Sequence, residues 1–157
     1  MRVSIELLSA ARPGLGTLRP RSFYAVAMTG PLIFIATNRL KAGARNAERR
    51  RVPELVHFVE REEPQVIGFN EYGDEVTVVQ IHPDAASFEK HMEVIADHAR
   101  RAYEETLDRT VRIQVFGDVP EPILASLREQ ASAGVEIIVN AEHLGGFLRA
   151  ESGAGRV

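Results

Sequence analysis

The stretch QIHPDAASFEKHMEV, residues 80–94, decides how the fold is read, because it joins a strand to a helix. His82 ends an apolar run, and Pro83 cannot extend a ladder of paired strands. Asp84 is a favourable helix N-cap, and Ser87 three residues later could return the contact in a weak capping box. The stretch therefore predicts a strand end, a capped turn and the start of a helix.

Outward from this stretch, hydrophobic periodicity predicts five strands and three helices. The strands are predicted over residues 32–40, 65–72, 75–82, 110–116 and 135–140, and the helices over about 46–63, 85–107 and 120–134. Pro53 either kinks the first helix or stands at its first position. The order β-α-β-β-α-β, followed by an added α-β unit, is the ferredoxin-like α+β arrangement. It predicts an antiparallel sheet with helices on one face.

The length and composition indicate a single domain with a real core. The chain has 157 residues, of which 45% are hydrophobic and 26% charged. Residues 1–30 show no sustained period and predict a disordered or loosely attached tail, for which a start at Met28 is an alternative explanation. Residues 31–145 are then one ferredoxin-like domain, and residues 146–157 a flexible tail.

Charge and composition also exclude several classes of function. The net charge is −3, and residues 1–30 carry four arginines against one glutamate, so the remaining chain is more acidic and does not suit nucleic acid. The absence of cysteine excludes disulfides, thiolate metal sites and a cysteine nucleophile. No apolar run is long enough to span a bilayer, and the N-terminus lacks the features of a secretory signal. We therefore expect a cytoplasmic protein.

The predicted sheet has apolar residues on both of its faces. In the third strand, Val76 and Val78 point one way, while Val79 and Ile81 point the other. Helices cover only one face, which would leave the other as a large apolar patch on a monomer. A second sheet packed against it is the simplest solution, so the pattern predicts a homodimer.

The histidines are the first candidates for chemistry. His82 at the strand end and His91 on the flank of the helix are predicted to line the mouth of one cavity, where a neutral imidazole could accept a proton. The alternative is two polar residues at a helix edge. His91 and His98 lie about 10.5 Å apart along the helix and cannot share one ion, so no metal site is predicted. Asn38 is either a ligand for a carbonyl or phenolate oxygen or a turn residue.

Residues 31–116 resemble the dimeric α+β barrel superfamily, in particular the antibiotic biosynthesis monooxygenase type. The resemblance rests on the order of elements and on two short stretches, Ile35-Ala-Thr-Asn-Arg-Leu40 and Val79-Gln-Ile-His-Pro-Asp-Ala-Ala-Ser-Phe-Glu-Lys-His91. It implies a homodimer with one cavity per subunit and the oxygenation of phenols or quinols without a metal or flavin. Some branches of the superfamily degrade haem, whereas other members have no activity.

The resemblance also implies roles for individual residues. Asn38 maps onto an asparagine that faces the family's cavity, while His82 stands where the family has a tryptophan. The position of the haem ligand falls near Arg101, so haem is not expected, and no cofactor is implied. The predicted site comprises His82 or His91 as base, Asn38 as oxygen ligand, and three aromatic ligand contacts, Phe34, Tyr72 and Phe88. The rival hypothesis is a non-catalytic protein that binds a small ligand or a partner.

Overall fold

The computed structural model describes residues 30–131 and 133–148, which form an α+β fold. The strands are β1 (Leu32–Leu40), β2 (Gly68–Tyr72), β3 (Val76–His82), β4 (Leu107–Phe116) and β5 (Glu136–Asn140). The helices are α1 (Arg45–Glu62), α2 (Ala85–Val94), α3 (Ala96–Glu105) and α4 (Glu121–Gln130). Residues 1–29 of the predicted N-terminal tail lie outside the described residues, and so do residues 149–157 of the predicted C-terminal tail.

The five strands form one mixed sheet in the order β2-β3-β1-β4-β5. β1 is central and pairs antiparallel with β3 and β4, and β2 pairs antiparallel with β3. This confirms the predicted ferredoxin-like order. The prediction of an antiparallel sheet is wrong for β5, which is parallel to β4. The reason is that α4 forms a crossover, which returns the chain in the direction it had in β4.

The predicted helix over residues 85–107 is divided at Ile95. This residue has φ −87° and ψ 0°, and it separates α2 from α3. The interruption is confined to this residue, because the Ile95 amide still donates to the His91 carbonyl and the Ala99 amide donates to the Ile95 carbonyl, both at 2.9 Å. Phe88 of α2 packs in the main core, whereas Ala102 of α3 packs in a second cluster with Val76. Pro53 stands inside α1, which begins at Arg45, so the reading of Pro53 as the first helical position is wrong.

The described helices pack on the same side of the sheet. On β1, the buried residues Leu32, Phe34 and Ala36 face α2 and α4 in the main core. The alternate residues of the sheet form the opposite side, which we call the open face. Its apolar centre follows from the strand register and comprises Ile33, Ile35, Val79, Ile81, Phe116 and Ile138. Within the described residues, no helix is long and apolar enough to cross a membrane.

Candidate functional site

A cavity of about 420 Å³ lies between the sheet and the helices and is partly open to solvent. Its walls are mainly apolar, with contributions from β1, β2, α1, α2, α3 and α4, among them Phe34, Leu55, Phe69, Met92, Ile95 and Leu127. A smaller set of polar side chains also lines it, including Asn38, Arg51, Glu71, Gln80, Tyr103 and Thr110. An apolar pocket with a few placed polar groups is the usual form of a small-molecule site.

Asn38 lies within β1, so the alternative reading of it as a turn residue is wrong. A register shift in the pairing with β4 falls between Thr37 and Asn38. The buried Asn38 side chain donates to the Val76 carbonyl at 3.4 Å. Its oxygen accepts from the Thr110 hydroxyl at 2.7 Å and from the Tyr103 hydroxyl at 3.3 Å. One amide hydrogen of Asn38 is therefore left for a ligand.

Glu71 projects from β2 into the cavity, and its side chain is only 4% exposed. Its Oε2 lies 3.7 Å from a guanidinium nitrogen of Arg51 and has no hydrogen-bond partner among the residues described. Burial raises the pKa of Glu71 to about 7, and the charge of Arg51 only partly offsets this while Glu48 adds to it. Glu71 is thus a buried carboxyl that changes its charge near neutral pH.

Arg51 already binds another carboxylate, that of Glu48. It donates to both oxygens of Glu48, at 2.9 and 2.6 Å, and the Thr106 hydroxyl donates to Glu48 at 2.6 Å. Burial opposes ionisation of Glu48, but the hydrogen bonds and charge of Arg51 and the bond from Thr106 outweigh it, so the pKa of Glu48 is lowered. The bidentate pair leaves Glu71 as the carboxyl of this cluster that is free to bind a ligand.

His82 is fully buried at the end of β3. Its Nε2 lies 3.3 Å from the Gln80 side-chain oxygen, which can only accept, so the proton is on Nε2. The Ser87 hydroxyl then donates to Nδ1 at 3.1 Å. Burial, with a smaller contribution from His91, lowers the pKa of His82 to about 4, so the ring is neutral. These bonds fix Gln80 and leave its amide nitrogen for the cavity.

His91 is also fully buried, and its ring centroid lies 5.2 Å from that of His82. Its Nδ1 lies 2.7 Å from an oxygen of Glu63, which follows the end of α1. Burial lowers the pKa of His91 to about 4 and raises the pKa of Glu63. In the described part of the chain, the other Glu63 oxygen and His91 Nε2 have no partner. Sequence reasoning missed Glu63, because a glutamate before Pro64 looks like an ordinary surface turn.

The structure separates the predicted site residues into two groups. Phe34 and Asn38 line the cavity. The buried side chains of His82, His91 and Phe88 are in ring contact with one another or with Phe34, but they are not among the residues that line the cavity. His82 and His91 therefore lie behind its wall rather than at its mouth.

Tyr72 is the predicted ligand contact that lies elsewhere. It is 58% exposed and pairs with Thr77 on the open face, because strand alternation puts it opposite in direction to Glu71. The same alternation was the signal that could have identified Glu71, which is in phase with Phe69. No group of three metal-ligating side chains occurs among the described residues.

Comparison with known proteins extends the description of the fold. No family model matches the chain, and no curated protein matches it. Among solved structures, MupZ from Pseudomonas fluorescens is similar, with a TM-score of 0.56 and 16% identity over 74% of this chain and 95% of that one. This likeness supports the ferredoxin-like α+β fold.

Two further solved structures match with lower TM-scores. PA3566 from Pseudomonas aeruginosa has a TM-score of 0.47 and 22% identity, over 59% of this chain and 98% of that one. A candidate antibiotic biosynthesis monooxygenase from Bacteriodes thetaiotaomicron VPI-5482 has a TM-score of 0.44 and 18% identity, over 58% and 90%.

Proposed function

We propose that the cavity binds a phenolic or quinol small molecule and that the protein is a cofactor-independent monooxygenase. The observation that carries the proposal is the cavity of about 420 Å³ with apolar walls and a few buried polar groups. Its size lies in the usual range for small-molecule sites, roughly 300–1,000 Å³. The walls suit an aromatic ring, while Glu71 offers an acceptor and Gln80 a donor for ring oxygens.

The reaction we propose begins with loss of the phenolic proton. The resulting phenolate is electron-rich and is itself the reductant for O₂. One oxygen atom bonds to a ring carbon and becomes the second carbonyl of a quinone. The other leaves as water with the ring hydrogen and the phenolic hydrogen, so atoms and electrons balance. The apolar walls exclude water from the reacting ring, and the amide hydrogens of Asn38 and Gln80 are placed to hold its oxygens.

His82 takes a positioning role in this proposal. It contacts the cavity through Gln80, whose side-chain oxygen it binds, and thereby directs the Gln80 amide nitrogen. Both His82 and His91 are neutral and buried behind the cavity wall, which favours support of the site over direct contact with a substrate. A histidine base would require the substrate to pass Phe69, which contacts the His91 ring, or Gln80, which binds His82.

The second candidate is binding without chemistry. It is favoured by the hydrogen bonds that the site residues make with one another, since Asn38 Oδ1 and both His82 nitrogens already have protein partners. In that case the protein would hold an aromatic ligand and leave it unchanged.

Oxygen uptake with a panel of hydroquinones separates the two candidates. We expect the wild type to consume O₂ with equimolar formation of the hydroxyquinone, which is the product of oxygen insertion into the hydroquinone ring, and Ala99→Phe, which fills the cavity from α3, to abolish both uptake and binding. Ala96→Phe is the matched control, because Ala96 is exposed on the same helix. Binding without O₂ uptake would favour the second candidate, whereas no binding by the wild type would contradict both.

We also propose that two copies pair through their open faces. The apolar centre of this face is only partly buried in one chain, and the described helices pack on the other side. A second copy would remove the apolar surface from water.

A further inference from the structure

Glu71 differs from the histidines and from Asn38 in presenting a buried carboxyl oxygen to the cavity. Its side chain is almost fully buried, lines the cavity, and presents an oxygen with no partner among the described residues. A buried polar atom without a hydrogen bond is destabilising, so the free oxygen of Glu71 is expected to have a partner in the functional state. Arg51 does not fill that role, since it is bound to Glu48 and lies 3.7 Å away.

We propose that Glu71 receives the hydroxyl proton of the ligand, and that the ligand is therefore a hydroxyaromatic molecule whose OH is directed at β2. The inference rests on the proposed binding of a phenolic molecule and adds the group that recognises and deprotonates it. In the step, the O–H bond of the ligand breaks and an O–H bond forms at Glu71 Oε2. A phenolate and a neutral carboxylic acid result, so the negative charge moves within the cavity and its total is unchanged.

The other cavity groups are less suited to accept this proton. Asn38 Oδ1 already accepts two hydrogen bonds, and an amide is not a base at neutral pH. Asp108 also lines the cavity, but it is exposed at its rim, where water competes. The Tyr103 hydroxyl is already hydrogen-bonded to Thr110 and Asn38. Glu71 is the group with both burial and a free acceptor.

The strand register gives the second point of attachment for the same ligand. Glu71 is opposite Val78, and Gln80 lies two residues further along β3 on the same side. Such diagonal neighbours lie roughly 7–8 Å apart. An aromatic ring can bridge this spacing, with its hydroxyl at Glu71 and a second ring oxygen at the Gln80 amide nitrogen.

The charges around Glu71 support the proton transfer. Burial has the largest influence on its pKa, which it raises to about 7, while Arg51 lowers it and Glu48 raises it. Both of these groups are on α1. From α3, Glu105 acts on Arg51 rather than directly on Glu71, and β3 presents Val78 opposite it. At neutral pH both protonation states of Glu71 are accessible, which suits a general base.

The test compares two fluorescent probes in the absence of O₂, so that neither is oxygenated. They are 1-naphthol and its methyl ether, 1-methoxynaphthalene, in which a methyl group replaces the hydroxyl hydrogen. At pH 8 we expect the wild type to bind the naphthol about tenfold more tightly, because only the naphthol donates to a carboxylate. The preference should shrink as the pH falls to 5. Glu71→Gln should abolish it, while Glu60→Gln, at an exposed position of α1, should leave it unchanged.

Several results would overturn the inference. These are equal affinity of the wild type for the two probes, binding of neither probe, or an undiminished preference in Glu71→Gln. If Glu71→Gln fails to fold, the wild-type pH series decides, since a preference independent of pH from 5 to 8 contradicts the role of Glu71. Naphthol preference without O₂ uptake from hydroquinones would leave this inference standing and refute the oxygenase. O₂ uptake by Glu71→Gln at the wild-type rate would refute the role of Glu71 and leave the oxygenase standing.

Discussion

At the scale of single residues, burial of Glu71 makes the stability of the free protein depend on pH. The pKa of Glu71 is about 7 in the folded protein and 4.5 as its ordinary value, so the folded state binds more protons between these limits. The contribution of Glu71 to the free energy of unfolding is therefore fully present below about pH 4.5, and it is lost as the pH rises through about 7.

Glu71→Gln removes that loss, because the amide is neutral at every pH. We expect its free energy of unfolding to exceed that of the wild type by roughly 2–3 kcal/mol at pH 8, with a much smaller difference at pH 5. Urea denaturation at the two pH values measures the difference. Glu60→Gln controls for loss of an acidic charge, and a Glu71→Gln effect that does not grow with pH would contradict the assigned pKa.

The buried contact between Glu63 and His91 gives a second prediction at this scale. Replacing either residue by Leu leaves the other buried and without its partner, which should lower the free energy of unfolding by about 1–3 kcal/mol. The double variant should lose less than the sum of the single losses, because it leaves no orphaned group. Urea denaturation of the four proteins gives the coupling energy, and strictly additive losses would show that the contact contributes nothing.

Residue-scale contacts are easier to predict from the sequence where the partner is near in the chain. The sequence placed His82 and His91 close together because a short turn joins their elements, and their rings lie 5.2 Å apart. Glu63 was not predicted, since it reaches His91 across 28 positions through tertiary packing. The Ser87 hydroxyl was misassigned although its partner is near in the chain, because it binds the His82 ring at the strand end instead of returning to the cap as the local motif suggested.

At the scale of elements, the start of α2 is set locally and its end is not. Asp84 accepts a hydrogen bond from the Ser87 amide at 2.8 Å, as the sequence predicted. The interruption at Ile95 was not predicted, because the apolar stripe continues across it. Capping depends on neighbours three residues apart and can therefore be predicted from the sequence.

Asp84 therefore offers a direct test of the cap. Asp84→Ala should lower the free energy of unfolding by about 1 kcal/mol, while Asp84→Asn keeps a capping oxygen and should cost only a few tenths. Asp97→Ala is the comparison at the start of α3, where an exposed pair with Arg100 should contribute much less than the cap. Urea denaturation ranks the three variants, and equal losses for Asp84→Ala and Asp84→Asn would contradict capping by the side-chain oxygen.

At the scale of the whole molecule, the sequence predicted the two faces of the sheet because alternation along a strand is strictly local. Residues of β1 and β3 fall on the expected sides throughout, with Ile35 and Val79 paired on the open face. The polar lining of the cavity could not be predicted beyond Asn38, because its groups come from at least six elements whose relative positions depend on packing. Arg51 and Glu71, for example, lie 20 positions apart and meet only through the pairing of α1 with the sheet.

The apolar open face predicts that two copies of the chain assemble through it. Two copies paired through it would each bury roughly 800 Å², the usual area for a stable interface. We expect sedimentation of the wild type at micromolar concentration to show a dimer and Val79→Arg to show a monomer, because a buried arginine without a partner is strongly unfavourable. The cavity lies on the other side of the sheet, so the variant should still bind naphthol. Ala96→Arg adds the same charge to the outer surface of α3 and should remain dimeric. A monomeric wild type, or a Val79→Arg protein that stays dimeric, would contradict pairing through this face.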